Sequence, residues 1–412
     1  MTPPVLPTAG HVRQAGPPLV PLLLAGGDVL DVGTATFARG DVLLVGGRVA
    51  ALGDVPADDV PAGTHRVDCT GLLVTPGLVD AQVNGAAGAD LTREPERLVD
   101  VARALPAYGV TAFVPTVVTA AAGTVERALA AAAALATDGT APAGSPVRAS
   151  VVGVHAEGPF LSPARRGAHP PAHLRAPDRA FVAGWSRAGG LVTATLAPEL
   201  PGALDVVADL TARGVVVWVG HTQATYEQVL AAVAAGARAV THLFNAMPPL
   251  GHRDPGPVGA VLGDDDLVAG VIVDDLHVHP AVVRATWKAL GRSRFMLVSD
   301  TTAALGLPDG RTVLGDHEVV LERGAVRLAS DGVTLAGSGV GLDHCVRTLV
   351  AATGCPPAEA FVAATRTPAD LLRRPDLGRL AVGGPADVVV WTPDLHPRTV
   401  VVGGRTAAPG PA

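Results

Sequence analysis

The sequence predicts an α/β fold: a (β/α)8 TIM-like barrel with a small β-sandwich domain built from both chain ends. Three observations carry this. Between about residues 76 and 379, apolar β-branched runs alternate with Ala-rich helical stretches, the pattern of a parallel sheet covered by helices. Eight such runs occur, the strand number of a closed barrel. Short apolar runs broken by glycine pairs lie on both sides, at 19–75 and 380–407, so strands from the two ends would share one small sheet and bracket everything between.

Taken in order, residues 1–18 are rich in Pro, Gly and Ala and read as a disordered tail. The runs LLLAGGDVLD, DVLLVGGRVAALGD and HRVDCTGLLVTPG follow, with Gly26-Gly27 and Gly46-Gly47 read as hairpin turns. Barrel strands are expected at Leu78–Val83, Val110–Val117, Val151–His155, Val192–Leu196, Val215–Val219, Ala239–Leu243, Leu267–Val273 and Phe295–Ser299. Helical stretches such as VERALAAAAALA and YEQVLAAVAAGA separate them. The 22 uncharged residues from Ala104 to Val125 contain Pro106, Gly109, Pro115, Gly123 and four threonines, and read as a helix end, a turn and a strand, not a membrane span. The β style returns in LAVGGPADVVVWTPDL and RTVVVGGRT. An open doubly wound sheet is the rival architecture. It would want a glycine-rich phosphate turn after the first strand, where AQVNGAAGAD stands instead of G-x-G-x-x-G.

Composition excludes several classes. With 48% hydrophobic and 17% charged residues a large core is available and global disorder is not expected. Lys plus Arg total 31 against 38 Asp plus Glu, a net charge of −7, which argues against a nucleic-acid binder needing a basic face. The opening MTPPVLPTAGHVRQAGPP has neither a basic n-region nor an apolar h-region, so it does not read as a signal peptide. Cys69, Cys345 and Cys355 form no metal-type pairs and fit idle thiols in a reducing cytosol. A soluble cytoplasmic protein with no membrane partner is expected.

The polar residues gather at the strand ends. Glu157 follows VVGVHA, His221 follows VVVWVG, His242 and Asn245 lie in AVTHLFNAM, His277 follows VIVDDL, and Asp300 ends FMLVSD. A single histidine in such a place is more often structural than a ligand. Titratable groups recurring past the C-terminal ends of different barrel strands mark one active-site rim. Two neutral imidazoles and one carboxylate (Glu157, His221, His242) make a catalytic zinc set with a coordination position left open. Asp300 then suits a general base toward water and an acid toward a leaving amine.

The segments PGLVDAQVNG (76–85), GVHAEGPFLSPARRGAHPP (153–171), TLAPE (195–199), GHTQATYEQ (220–228), THLFNAMPPLGHRDPG (241–256), DDLHVH (274–279), LVSDTTAALG (297–306) and TLAGS (334–338) together resemble the N-acetylglucosamine-6-phosphate deacetylases of the amidohydrolase superfamily, in the family's order and over nearly the whole barrel. The resemblance implies one divalent metal ion per subunit, held by Glu157, His221 and His242, with Asp300 as catalytic acid/base. It implies a sugar-phosphate substrate contacted by Asn245-Ala246, by His169 with Ala168 beside it, and by the Asp274-Asp275-Leu276-His277 segment. Leu335, Ala336 and Gly337 would line the acetamide side. Arg253 resembles the family's phosphate-binding arginine, which reaches in from the neighbouring subunit and implies a homodimer; a guanidinium suits phosphate oxygens. Zinc is favoured by the ligand set, with Fe2+, Co2+ or Mn2+ as other occupants.

Many amidohydrolases carry H-x-H on the first strand for a second metal. Gln82-Val83-Asn84 stands there; neutral amides are poor zinc ligands, so a one-metal site is expected. The single lysine, Lys288, falls in a helical stretch, VVRATWKAL, away from any strand end where a bridging carbamylated lysine would sit. Asp275 replaces the family's usual glycine, and GVGLDHC follows TLAGS in place of the usual run. These departures motivate two rivals: a deacetylase for another N-acyl amino sugar phosphate such as the galactosamine isomer, and a catalytically degenerate sugar-phosphate-binding paralogue.

Overall fold

A computed structural model describes residues 19–137 and 146–407; the expected tail at 1–18 lies outside the described residues. The eight expected strands are all present. They run Leu78–Val83, Val110–Val118, Val154–Glu157 (after a short piece, Ser150–Val151), Leu191–Leu196, Val216–Val219, Ala239–Val240, Val268–Val271 and Phe295–Leu297. Each pairs in parallel with the next. The ring closes between its last and first strands: the Asp300 amide donates to the Gln82 carbonyl at 3.1 Å and the Asn84 amide to the Thr301 carbonyl at 2.7 Å. The barrel is therefore hydrogen-bonded all the way round, and its closing seam lies at the residues carrying Asp300.

Its interior has two zones. Val79, Ala112, Val114, Val192, Val216, Trp218, Ile272, Met296 and Val298 fill the lower part with apolar side chains, and the segment Leu371–Leu377 packs against them from below. Burial of these side chains is the dominant favourable term for the barrel. Above them the interior turns polar, with Thr116, His155, Thr195 and Thr241 all buried. Helices between the strands follow local signals. Tyr226–Ala235 opens on a capping box in which Thr225 and Gln228 bond reciprocally and closes at Gly236 in the left-handed region. Lys288 lies exposed on the helix Pro280–Arg294.

Strands from both chain ends join one eight-stranded sheet, with Leu73–Pro76 paired antiparallel to Val388–Trp391. Strand Leu22–Asp31 pairs His65–Asp68 along its first half and Leu73–Pro76 along its second, folding the sheet around a core of Leu22, Leu24, Val42, Leu44, Val74, Val388 and Val401. One local expectation is corrected here. Gly26-Gly27 is not a hairpin turn; it forms a bulge within strand Leu22–Asp31. The side chain of Val74 passes so near that a Cβ at Gly27 would sit 2.6 Å from it. The hairpin turn comes later, at residues 32–35, and Gly46-Gly47 forms a hairpin turn as expected.

A second β element was not foreshadowed by the strand–helix alternation. After the eighth barrel strand, Gly310–Leu314, His317–Glu322, Ala325–Leu328 and Leu335–Ser338 form a four-stranded antiparallel sheet over a small core of Val118, Ala304, Leu314, Val319, Leu321, Val326, Leu328 and Ala336. Its last strand returns to the barrel mouth, where the Ser338 amide donates to the Asp300 carbonyl at 2.9 Å.

Trp391 locks the small sheet to the barrel. It is fully buried, packs on Phe361 with ring centroids 4.9 Å apart and planes tilted by 48°, donates from its indole to Thr75 at 2.8 Å, and presses on Gly109, where a Cβ would lie 2.7 Å from the ring. Trp391→Ala should cost ~3–5 kcal/mol through the cavity it leaves, and Trp391→Phe clearly less because a ring remains. Denaturant titration of both variants checks the order; equal losses would show that the ring's bulk is not what joins the two parts.

Candidate metal centre and active site

Three side-chain atoms meet at the barrel mouth. Glu157 Oε1 lies 3.0 Å from His221 Nε2 and 3.2 Å from His242 Nε2, and the two nitrogens lie 3.0 Å apart. Ligands about 2.0–2.2 Å from a tetrahedral zinc ion stand roughly 3.3–3.5 Å from one another, close to this spacing. His221 Nδ1 is 2.9 Å from the Arg165 carbonyl, an acceptor only, so the ring's proton is held at Nδ1 and Nε2 presents a lone pair. Such an outer contact is what orients a metal-binding imidazole. Burial, with the neighbouring His169 adding to it, lowers the His221 pKa to about 4, so the ring is neutral at neutral pH. Burial alone would raise the Glu157 pKa, but the neighbouring His169, first among the groups favouring its charged form, helps to hold it well below the ordinary carboxylate value. A buried carboxylate facing imidazole lone pairs is repulsive unless a positive charge sits between them. The residues present fit a divalent cation.

His169 also approaches Glu157 Oε1, at 3.9 Å, and Glu157, His169 and His221 are close enough together to hold a metal ion. The other ring nitrogen separates its role from that of His221, whereas His242 Nδ1 has no hydrogen-bond partner among the described residues. His169 Nδ1 accepts from the Thr119 amide at 3.2 Å, which leaves the proton of the neutral ring on Nε2. A protonated Nε2 is a hydrogen-bond donor, not a ligand.

Asp300 is held from the first strand. Gln82 Nε2 and Asn84 Nδ2 both donate to its Oδ1, at 2.9 and 2.8 Å, and its Oδ2 has no hydrogen bond among the described residues. Burial, and then the charge of Glu157, push its pKa up to about 6. The two amides at the H-x-H position thus act as donors to Asp300, and Gln82 also reaches Glu157 Oε2 at 3.4 Å. Sequence reasoning considered them only as poor metal ligands. Their place at the end of the first strand was the available signal. Gly337 completes the surroundings: a Cβ there would sit 2.7 Å from the Asp300 carbonyl, and its φ is +70°, so the backbone of the added sheet packs directly on Asp300.

The other expected residues take these places. His277 Nδ1 is 2.7 Å from Asp274 Oδ2, and Asp274 Oδ1 accepts the amides of Leu276 and His277. Burial would raise the Asp274 pKa, but its bonds with His277 bring it below the ordinary value. Asn245 Nδ2 donates to the His242 carbonyl at 3.2 Å. Ala168 packs against the small core under Leu335–Ser338. Asp275 and Leu276 are exposed, as is Arg253, which makes no hydrogen bond or ion pair among the described residues. Five non-glycine site residues have positive φ: His221 49°, His242 30°, Ala246 52°, Asp275 64° and Asp300 51°. Such conformations cost ~1–3 kcal/mol each and persist where the surroundings over-determine them; here they turn side chains off the strand ends into the mouth. The usual glycine at position 275 is explained by this left-handed turn, which aspartate also tolerates.

Comparison with known proteins gives the chain's relatives. The amidohydrolase family model matches residues 73–407. An N-acetylglucosamine-6-phosphate deacetylase from Bos taurus is 39% identical over 352 residues, 82% of this chain and 84% of its own. An N-acetylgalactosamine-6-phosphate deacetylase from Shewanella is 38% identical over 341 residues, 82% of this chain and 83% of its own. The structure of a mutant N-acetyl-D-glucosamine-6-phosphate deacetylase from Mycobacterium smegmatis, in complex with N-acetyl-D-glucosamine-6-phosphate, superposes with a TM-score of 0.83 at 34% identity, covering 94% of this chain and 99% of that one.

Behind the seam lies another buried carboxyl. Asp80 Oδ1 accepts the amides of Ser299 at 3.2 Å and Gln82 at 3.4 Å, and burial raises its pKa from 3.8 to about 7. Between those values the folded protein holds a proton that the unfolded chain releases. Stability from this group is full below pH ~4 and is lost as pH rises through about 7. Asp80→Asn cannot titrate, so the stability of wild type relative to the variant should fall from pH ~4.5 to about 7 and level off above it. Thermal melts of both across that range check it; parallel profiles would place the Asp80 proton elsewhere.

Proposed function

The chain belongs to the amidohydrolase family, and from that premise we propose that it hydrolyses the acetamide of N-acetylglucosamine 6-phosphate to glucosamine 6-phosphate and acetate. The observation that carries this reading is the convergence of Glu157 Oε1, His221 Nε2 and His242 Nε2 within 3.0–3.2 Å. Those three side chains would hold one divalent cation, with zinc favoured by a donor set of two nitrogens and one oxygen and Fe2+, Co2+ or Mn2+ as other occupants. Bound there, the cation supplies Lewis acidity toward the amide carbonyl and makes a neighbouring water more acidic.

The chain's own residues supply the rest. Asp300, fixed through Oδ1 by Gln82 and Asn84, keeps Oδ2 free to take the proton of the attacking water. It then returns that proton to the departing amine nitrogen. A pKa near 6 leaves it ionised at neutral pH and still basic enough for both transfers. His169, whose Nε2 carries hydrogen, suits donation to the carbonyl oxygen. His277, whose Nδ1 proton goes to Asp274, keeps an acceptor at Nε2 for a sugar hydroxyl. Asn245, Ala246, Asp275 and Leu276 border the sugar phosphate, and Ala168, Leu335, Ala336 and Gly337 the acetyl side. Arg253, exposed and unpaired among the described residues, reads as the phosphate ligand of a neighbouring subunit in a homodimer. Cytoplasmic residence fits three buried free thiols; among the described residues, no helix is long and apolar enough to cross a membrane.

The galactosamine isomer is the second reading, favoured by the Shewanella relative and by Asp275. Asp300→Asn should retain zinc and substrate binding while kcat falls by ~10²–10⁴-fold; near-normal turnover would reject the acid/base assignment. In a panel of N-acyl amino sugar 6-phosphates followed by acetate release, the glucosamine substrate should give the highest kcat/KM. A higher value for the galactosamine isomer would select the second reading. Binding without release by zinc-loaded protein would select the degenerate paralogue.

A further inference from the structure

Directly beneath the three candidate ligands runs a continuous line of buried polar groups. The Val83 amide donates to Thr116 Oγ1 at 3.2 Å. Thr116 Oγ1 meets His155 Nδ1 at 3.2 Å, His155 Nε2 meets Thr195 Oγ1 at 2.8 Å, and Thr195 Oγ1 meets Thr241 Oγ1 at 2.8 Å. All four side chains are at most 1% exposed. Each nitrogen of His155 has one hydroxyl partner, so a neutral ring donates on one side and accepts on the other, and no charge is needed.

The line touches every ligand strand next to its ligand. His155 precedes Glu157 by two residues and faces the same side of the strand. Thr195 is the register partner of Glu157 across the adjacent strand. Thr241 immediately precedes His242. The fifth strand contributes a gap: at Gly220, one residue before His221, a Cβ would lie 2.8 Å from Thr195 Cγ2 and 2.8 Å from Thr241 Cβ. The Thr195–Thr241 bond therefore passes across the base of His221, bridging the fourth and sixth strands over the fifth. Apolar side chains of the same size would fill this layer without fixing the relative height of the strands; directional bonds do.

We propose that Thr116, His155, Thr195 and Thr241 form a positioning belt, with His155 and Thr195 as the positioning residues that set the spacing of Glu157, His221 and His242 for a divalent cation. This rests on the metal-centre reading above. Outer contacts of metal ligands are worth about 10–100-fold in metal affinity, and the belt acts on all three ligands together.

The test is zinc affinity, measured by competition with a chromophoric chelator, beside the thermal midpoint of each metal-free protein and steady-state kinetics at saturating zinc. Thr195→Val keeps the shape and removes the hydroxyl; Thr195→Ser keeps the hydroxyl. Thr195→Val and His155→Leu should bind zinc about 10–100-fold more weakly and lose kcat with KM nearly unchanged, while Thr195→Ser stays close to wild type. Should His155→Leu fail to fold, the near-isosteric Thr195→Val decides. Wild-type zinc affinity in Thr195→Val, even with a lowered thermal midpoint, would reduce the belt to a stability role and overturn the proposal. An equal loss in Thr195→Ser would show that the hydroxyl is not the agent and overturn it too. If wild type itself bound no zinc, the metal-centre reading would fall first and the belt with it, an outcome distinct from the other two.

Discussion

A buried carboxylate oxygen set against two buried imidazole nitrogens is the constraint to which the barrel mouth answers. Glu157, His221 and His242 lie at the ends of the third, fifth and sixth strands, and Oε1 and the two Nε2 atoms lie 3.0–3.2 Å apart. Groups so placed repel in a site with little water, and the surroundings must hold them there. They do so by the Arg165 carbonyl at His221 and by positive-φ backbone at both histidines. Much of the local sequence that looks costly for folding is in this way spent on the site: polar residues at interior positions and left-handed conformations without glycine.

The closing seam of the barrel serves chemistry as well as architecture. A closed ring needs its last strand to meet its first, and here the backbone bonds at Gln82, Asn84, Asp300 and Thr301 do so. The side chains of Gln82 and Asn84 then grip Asp300 from across that seam, and the strand Leu335–Ser338 braces it from the other side. A carboxylate so held keeps one oxygen in place and the other available. Preorganisation of this kind is what the proton transfers proposed for Asp300 would use.

The histidines show why ring nitrogens must be read in pairs. His169, His221 and His242 all point Nε2 at Glu157, and by distance alone His169 is also a candidate ligand. The partner of Nδ1 separates His169 from His221. A carbonyl at His221 leaves Nε2 bare, whereas an amide at His169 puts the proton on Nε2. One ring then suits a cation and the other a developing negative charge.

Much was legible in the sequence because its physical cause is local. The alternation of β-branched and Ala-rich runs requires parallel strands under helices, and a polar residue ending an apolar strand is placed at the mouth by the two-residue period of the strand. Glu157, His221, His242 and Asp300 could therefore be assigned to one rim from the chain alone. What the sequence could not decide depends on contacts between residues far apart. Gly26-Gly27 has the composition of a turn and becomes a bulge because Val74 packs on it. The four-stranded sheet at 310–338 is held by its own small core and by pairing back to the seam, and no periodicity announces that return. The role of Gln82 and Asn84 appears only when Asp300, 218 and 216 residues away, is brought beside them. Whether His169 or His221 presents a lone pair at Nε2 is settled by one hydrogen bond on the far nitrogen. Local pattern determines which elements form and which way side chains face; only closure of the ring decides which of them meet, because hydrogen-bond direction and lone-pair repulsion act over about 3 Å.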